Sequence, residues 1–216
     1  MTDRTQITRL REKGSDDRVQ LNTLLDEARV GHFALTAPDG HPVVIPTAIV
    51  RDGDRVLAHG STGSRWMRAL AAGVPTCLAV TELDGLVLAR SAFESSLHYR
   101  SAVLFGTCTP LPDDEKARAL DLITEALLPG RVAELRRPVP RELDATLVLA
   151  LPIDEWSLKV SDGWPDDPPE DVEGDAWAGV VPIEKGYGRP RPAPDLRPGI
   201  PVPQSLQRWA QLDAAP

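Results

Sequence analysis

Apolar and polar residues alternate in short runs through the first three quarters of the chain, and the period of that alternation predicts the elements. Between Asp16 and Arg29 the apolar residues Leu21, Leu24, Leu25 and Ala28 recur at helical spacing, with Asp16 and Asp17 at the end that suits negative charge. Gly31 reads as the residue that stops this helix. A period of two then takes over. Phe33–Thr36, His41–Val50 and Arg55–Ala58 predict three strands, turned at Pro38-Asp39-Gly40 and at Asp52-Gly53-Asp54. A short helix is expected over Ser64–Ala72, with Ser64 as its N-cap and Gly73 just past its end. Thr76–Thr81 and Leu86–Arg90 read as two strands turned at Asp84-Gly85, and His98–Thr109 as one long strand. Asp113–Leu128 is amphipathic. It has an acidic start, an apolar stripe of Leu120, Ile123, Leu127 and Leu128, and a stop at Pro129-Gly130. Ala145–Leu151 and Trp156–Val160 add two more strands. The fold class is therefore mainly β: an antiparallel sheet or closed barrel of about six or more strands with flanking helices.

The two ends of the chain break this pattern. Residues 1–15 are polar and read as a flexible N-terminus, leaving 16–160 for the barrel. From residue 161 to 216 about half of the 21 prolines accumulate, and Asp166-Asp167-Pro168-Pro169-Glu170-Asp171 suits neither helix nor central strand. Trp164, Trp177, Tyr187 and Trp209 are large anchors that disordered tails lack. The segment is expected to be an extended arm packed on the barrel or on a neighbouring subunit.

A hydrophobic share of 42% supports a real core. Net charge is −8 and the pI about 5.0, which argues against general nucleic-acid binding and requires any anionic ligand to find a local cation. No apolar run reaches the length of a membrane span, and Met1-Thr2-Asp3-Arg4 does not open a signal peptide, so a cytoplasmic protein is expected. Cys77 and Cys108 read as reduced thiols in strands. The four histidines, His32, His41, His59 and His98, show no metal-binding spacing.

Three places concentrate candidate chemistry. The first is the strand-to-helix loop His59-Gly60-Ser61-Thr62-Gly63-Ser64-Arg65. Its hydroxyls, glycines and one planar cation suit an anion, phosphate above all, although the same residues read equally as a helix cap with a surface arginine. It is not a Walker loop. The second is the strand around Ile45, Pro46, Thr47 and Ala48. There a hydroxyl interrupts an aliphatic row, and a proline removes a ladder donor and leaves backbone groups available to a ring. The third is Ser96-Leu97-His98-Tyr99-Arg100-Ser101, dense in polar groups where a long strand begins. Alternation puts Tyr99 and Ser101 on one side of that strand and His98 and Arg100 on the other. His59 and His98 are the candidates for proton transfer.

Taken in order, these pieces resemble the flavin-binding split β-barrel superfamily that includes pyridoxamine 5′-phosphate oxidases and nitroimidazole-resistance-type flavoproteins. The resemblance covers residues 16–159. It rests on Gly31-His32-Phe33-Ala34-Leu35, Asp39-Gly40-His41-Pro42, Ile45-Pro46-Thr47, Ala58-His59-Gly60-Ser61, Ser64-Arg65 and His98-Tyr99-Arg100-Ser101-Ala102-Val103. It implies a split β-barrel that binds FMN as a homodimer, with the flavin sites at the subunit interface. Ser64 and Arg65 match the start of the oxidases' Ser-Arg-Lys phosphate grip, with Trp66 in place of the lysine. Val44-Ile45-Pro46-Thr47-Ala48-Ile49 stands where the oxidases carry two cations along the ring, and no Arg-x-His pair follows near the C-terminus. These departures point away from pyridoxamine phosphate oxidation and toward the nitroimidazole-resistance type. The implied site is Ile45, Pro46, Thr47, Ala48, His59, Gly60, Ser61, Ser64, Arg65, Trp66, His98, Arg100 and Ser101. The implied activity is that of an FMN-dependent oxidoreductase, with a non-catalytic flavin or haem module and a deazaflavin-dependent reductase as the other readings.

Overall fold

Ten strands form one antiparallel sheet in the computed structural model, which describes residues 3–207. They are β1 (Gly14–Ser15), β2 (Val30–Thr36), β3 (Pro42–Asp52), β4 (Arg55–Ser61), β5 (Pro75–Leu88), β6 (Ser96–Thr107), β7 (Thr109–Pro110), β8 (Thr146–Pro152), β9 (Glu155–Ser161) and β10 (Gly179–Pro182). The order is β1-β9-β6-β5-β2-β3-β4-β8-β7, with β10 added to β5. The path does not close on itself, and the sheet is a split barrel. The helices are α1 (Arg18–Glu27), α2 (Arg65–Ala71), α3 (Asp113–Leu127) and the short α4 (Pro140–Asp144) and α5 (Pro169–Val172).

Two apolar clusters hold these elements. Leu21, Leu24 and Leu25 of α1 and Met67 and Leu70 of α2 fill the barrel interior against Phe33, Ala58, Leu78, Leu104, Leu149 and Leu158. On the other side of the sheet, Ala119 and Ile123 of α3 pack on Val50, Leu57, Val148 and Ala150. Alternation along β4 and β8 serves both clusters at once, so these strands are apolar on two faces.

Asp17 caps α1, its carboxylate accepting from the Val19 N–H at 2.7 Å and the Gln20 N–H at 3.4 Å. Ala28, not Gly31, is the residue after the helix, where its N–H donates to Leu24 O. Gly31 instead lies inside β2 opposite Thr47. A Cβ there would stand 2.6 Å from Leu78 Cδ1 and 3.1 Å from Ile49 Cδ1, so close strand packing, not helix termination, is what this glycine serves.

Three other expectations change. Thr76–Thr81 and Leu86–Arg90 are one strand, β5, and Asp84-Gly85 is a bulge in it rather than a turn. The face that α3 buries runs through Lys116, Ala119 and Ile123, while Leu127 is exposed. The Lys116 stem is buried and its ammonium reaches Asp113 at 2.7 Å. Where a loose N-terminus is expected, β1 pairs with β9 and Arg4 bonds to Glu155.

The arm lies on its own barrel through strand pairing and polar links. β10 pairs with β5. Asp167, its side chain almost fully buried, accepts from the Arg90 N–H at 2.8 Å and from its guanidinium at 2.9 Å. Ser205 bonds to Glu134. Trp164, Trp177 and Tyr187 are exposed on the single chain, and Trp209 lies outside the described residues. Both cysteines are free. Cys108 is buried, which pushes its thiol up to about 12, and Cys77 is half-buried.

Candidate functional site

A cavity of about 740 Å³ opens between the start of α2 and the edge of the sheet. Ser64, Arg65, Trp66 and Ala69 line one wall, and Val43, Ile45 and Leu35 the other. Its position follows from how β3 is paired. β3 is bonded to β2 along Pro42–Ala48, but β4 pairs only with Ile49–Asp52 and then turns to follow β8. The Ile49 N–H donates to Arg29 O, so odd-numbered residues of β3 aim their N–H at β2 and Pro46 faces the side that β4 has left. A proline at that position has no donor to leave unsatisfied. The open edge of β3 therefore borders the cavity.

The loop before α2 is built by its own backbone. The Ser64 N–H donates to Ser61 O at 3.0 Å, the Gly63 N–H donates to Ser61 Oγ at 3.1 Å, and the Thr62 N–H donates to Ala145 O at 3.0 Å. Gly60 lies directly over α2: a Cβ on it would stand 2.9 Å from Met67 Cγ. Ser64 takes the N-cap position, yet its hydroxyl makes no capping hydrogen bond. Arg65 is exposed and has no ion pair among the described residues, whereas Arg18, Arg51, Arg55, Arg90 and Arg118 are each matched to a carboxylate. A free hydroxyl and a free planar cation thus share one cavity wall in an acidic protein. Behind them Trp66 packs on Phe33, ring centroids 6.4 Å apart.

The remaining expected residues are distributed elsewhere. Thr47 shares the inner face of β3 with Ile45, while Pro46 and Ala48 face outward. Ser101 stands on the outer face of β6 between Thr81 and Lys159. Ser61 is spent on the loop. The His98 Nε2–H donates to Gly163 O at 2.8 Å and so ties β6 to the start of the arm. Arg100 is fully engaged: Nε and Nη2 bond both oxygens of Asp84 at 2.8 Å and Nη1 reaches Glu27 at 2.7 Å. Hydrogen bonding to Asp84 first, then to Glu27, raises its pKa against the opposing pull of burial. Arg100 clamps α1, the β5 bulge and β6 together, and its guanidinium is committed within the chain.

His59 lies on the same side of β4 as Leu57, toward α3, and so away from the Met67 side on which Gly60 lies. Its Nδ1 is buried without a partner, and burial pushes the imidazole below its ordinary range. A base with a lower pKa folded than unfolded binds fewer protons when folded. The stability it contributes is complete above the unfolded value near 6.5 and is lost as pH falls below it. Urea midpoints taken from about pH 8 down to about pH 5 should decline more steeply for the native chain than for His59→Gln. Parallel curves would refute this assignment.

The pyridoxamine 5′-phosphate oxidase family model matches residues 17–160. The chain belongs to this family. A FAD and haem binding protein from Mycobacterium smegmatis is 52% identical, with a TM-score of 0.87 over 91% of this chain and 97% of that one. The flavocytochrome Anf3 from Azotobacter vinelandii is 36% identical, with a TM-score of 0.89 over 96% and 97%. A putative 5-nitroimidazole antibiotic resistance protein from Bacteroides thetaiotaomicron shares the fold at a TM-score of 0.59 and 19% identity, over 68% of this chain and 86% of that one. No curated protein matches the chain. Both high-identity relatives are matched across the arm as well as the barrel, so the arm is part of what is shared. No described helix is long and apolar enough to cross a membrane.

Proposed function

We propose that the chain is a flavin-binding oxidoreductase whose flavin phosphate sits at Ser64 and Arg65. The cavity between α2 and the open edge of β3 carries this reading, because it unites an uncommitted hydroxyl, an unmatched guanidinium and free backbone groups. The guanidinium suits the phosphate, the β3 edge suits the polar rim of the ring, and Trp66 and Ile45 suit its apolar body. The flavin supplies the electron transfer, and the protein binds and orients it. FMN and FAD share the ring, the ribityl chain and the first phosphate, so these residues serve either. FMN is what the motif resemblance implies, and the FAD described for the Mycobacterium smegmatis relative supports the longer cofactor.

A homodimer fits the same reading. The outer face of β2, β3, β5 and β6 presents Val30, Val44, Pro46, Ala79, Leu83 and Val103 with no described helix over them, and Val44 is 58% exposed. Ser101 lies on that face, where it would meet a second chain, and the exposed Trp164 and Trp177 would gain cover there.

Haem is a second group to consider, since both relatives are described with haem or as a flavocytochrome. His59 is the residue whose chemistry fits an iron ligand: a buried, neutral imidazole with an unpartnered Nδ1. The other three histidines are engaged or exposed: His98 with Gly163, His41 beside Asp39, and His32 on the outer face.

Size-exclusion chromatography of the freshly purified protein, with in-line absorbance and light scattering, tests all of this together. The expected trace is a dimer-mass peak carrying a flavin spectrum, with a Soret band if haem is present. Acid release followed by chromatography then separates FMN from FAD. A deazaflavin spectrum would replace the cofactor, and a colourless protein that takes up no added flavin would end the reading.

A further inference from the structure

The arm falls into two halves of opposite charge, with β10 between them. From Asp162 to Trp177 it is acidic and contains no lysine or arginine. Asp167 is matched to Arg90, but Asp162, Asp166, Glu170, Asp171, Glu173 and Asp175 have no ion pair among the described residues. Two tryptophans stand out from this half. Trp164 is 80% exposed. Trp177 is 66% exposed even though its ring packs on Gly179, where a Cβ would stand 2.7 Å from Trp177 Cη2.

Beyond β10 the arm turns basic. From Lys185 to Gln207 the one acid is Asp195. Lys185 is matched to Glu82, whereas Arg189, Arg191 and Arg197 have no ion pair among the described residues. Every residue from Gly188 to Val202 is exposed. Pro190, Pro192, Pro194, Pro198 and Pro201 remove backbone donors and favour an extended course. The hydrogen bonds described for this stretch stay within the arm: the Leu196 N–H donates to Ala193 O at 3.0 Å, and Gln207 Nε2–H donates to Val202 O at 2.7 Å. Its far end is nonetheless fixed, because Ser205 is buried and bonded to Glu134. An extended segment that is tied at both ends and buries nothing on its own barrel needs another surface to cover it.

The same ties keep the two halves apart within one chain. Asp167 holds the acidic half at Arg90, just past the end of β5. β10 then runs back along β5, with Gly179 beside Leu88 and Pro182 beside Gly85. The Ile183 N–H donates to Asp84 O at 2.9 Å and Lys185 reaches Glu82. The basic half leaves there, from the middle of β5 and away from the acidic half. A two-fold related copy brings together what one chain separates, twice in each dimer.

We propose that in the homodimer the basic, proline-rich half of each arm lies along the acidic, tryptophan-bearing half of its partner's arm. This rests on the homodimer reading above and adds the contact that the arms make. Carboxylates then face Arg189, Arg191 and Arg197, and the exposed indoles meet an extended proline-rich strand, which aromatic surfaces accept well. Both uncovered surfaces belong to one sequence and are complementary in charge, so a second copy covers both at once. The family model ends at residue 160, so this contact lies outside the family domain.

The test uses the full-length purified protein. Arg191→Lys places an amine in the basic half and keeps its charge. A water-soluble carbodiimide should then link that position to a carboxylate within residues 162–175, and the linked species should run at dimer mass on a denaturing gel, with peptide mass spectrometry identifying the link. The same link at monomer mass, or no such link, would overturn the proposal. Arg189→Glu, Arg191→Glu and Arg197→Glu together should raise the dimer dissociation constant at least roughly ten-fold in sedimentation of dye-labelled protein. Adding Asp166→Lys, Glu170→Lys and Asp171→Lys should recover most of that loss. A native dimer whose dissociation constant the reversed charges leave unchanged would overturn the arm contact alone. A native chain that is monomeric at micromolar concentration would remove the homodimer reading and the contact with it.

Discussion

Phe33→Ala should destabilise the folded chain by about 3–5 kcal/mol, the usual cost of removing a buried phenyl ring that its surroundings cannot replace. Phe33 is 1% exposed and lies in the barrel interior with Leu21, Leu25, Met67 and Leu78. It is held from both strand neighbours, opposite Ile45 of β3 and Leu78 of β5, so the backbone cannot shift inward to fill the space. The ring also backs Trp66, which ties the loss to the cavity wall. Urea unfolding followed by tryptophan fluorescence measures it. A change under about 1 kcal/mol would mean that the core collapses around the gap and that α2 does not depend on this contact.

Arg65→Ala should weaken flavin binding roughly ten- to a hundred-fold while leaving stability near that of the native protein. Arg65 is exposed and makes no contact that folding relies on, so the two quantities separate. Arg65→Lys should recover part of the affinity, because an ammonium keeps the charge but loses the planar fork. Arg68→Ala, one turn further along α2, is the control and should change nothing, since Arg68 does not line the cavity. Fluorescence titration with FMN and FAD gives the dissociation constants. Identical values for the native chain and Arg65→Ala would remove the phosphate role.

These two variants differ because one residue is read by burial and the other by its lack of a partner, and neither property is local to the sequence. An arginine in a loop looks the same whether it meets a carboxylate or not. Arg100 makes the point. Beside His98 and Ser101 it resembles a binding residue, but Glu27 and Asp84, from α1 and β5, meet it in the fold and occupy its donors. The same clamp explains the bulge. Asp84-Gly85 carries ordinary turn chemistry, yet β6 runs past it as a full partner and Arg100 holds the Asp84 carboxylate in line, so the chain goes straight on.

By themselves the alternation and the caps define most of the strands from Phe33 to Val160, splitting β5 at Asp84-Gly85, together with the three main helices to within a few residues and the loop that ends in Ser64-Arg65. They do so because periods of two and 3.6, and the residues that begin or end them, are properties of neighbours in the chain. Tertiary structure alone decided which face of each strand is inside. It turned His59 toward α3, aimed Pro46 at the edge that β4 abandons, used Gly31 for close packing, and left Arg65 without a carboxylate partner among the described residues. Those outcomes depend on residues far apart in sequence reaching one another, or failing to, and a pattern of adjacent residues carries no record of that.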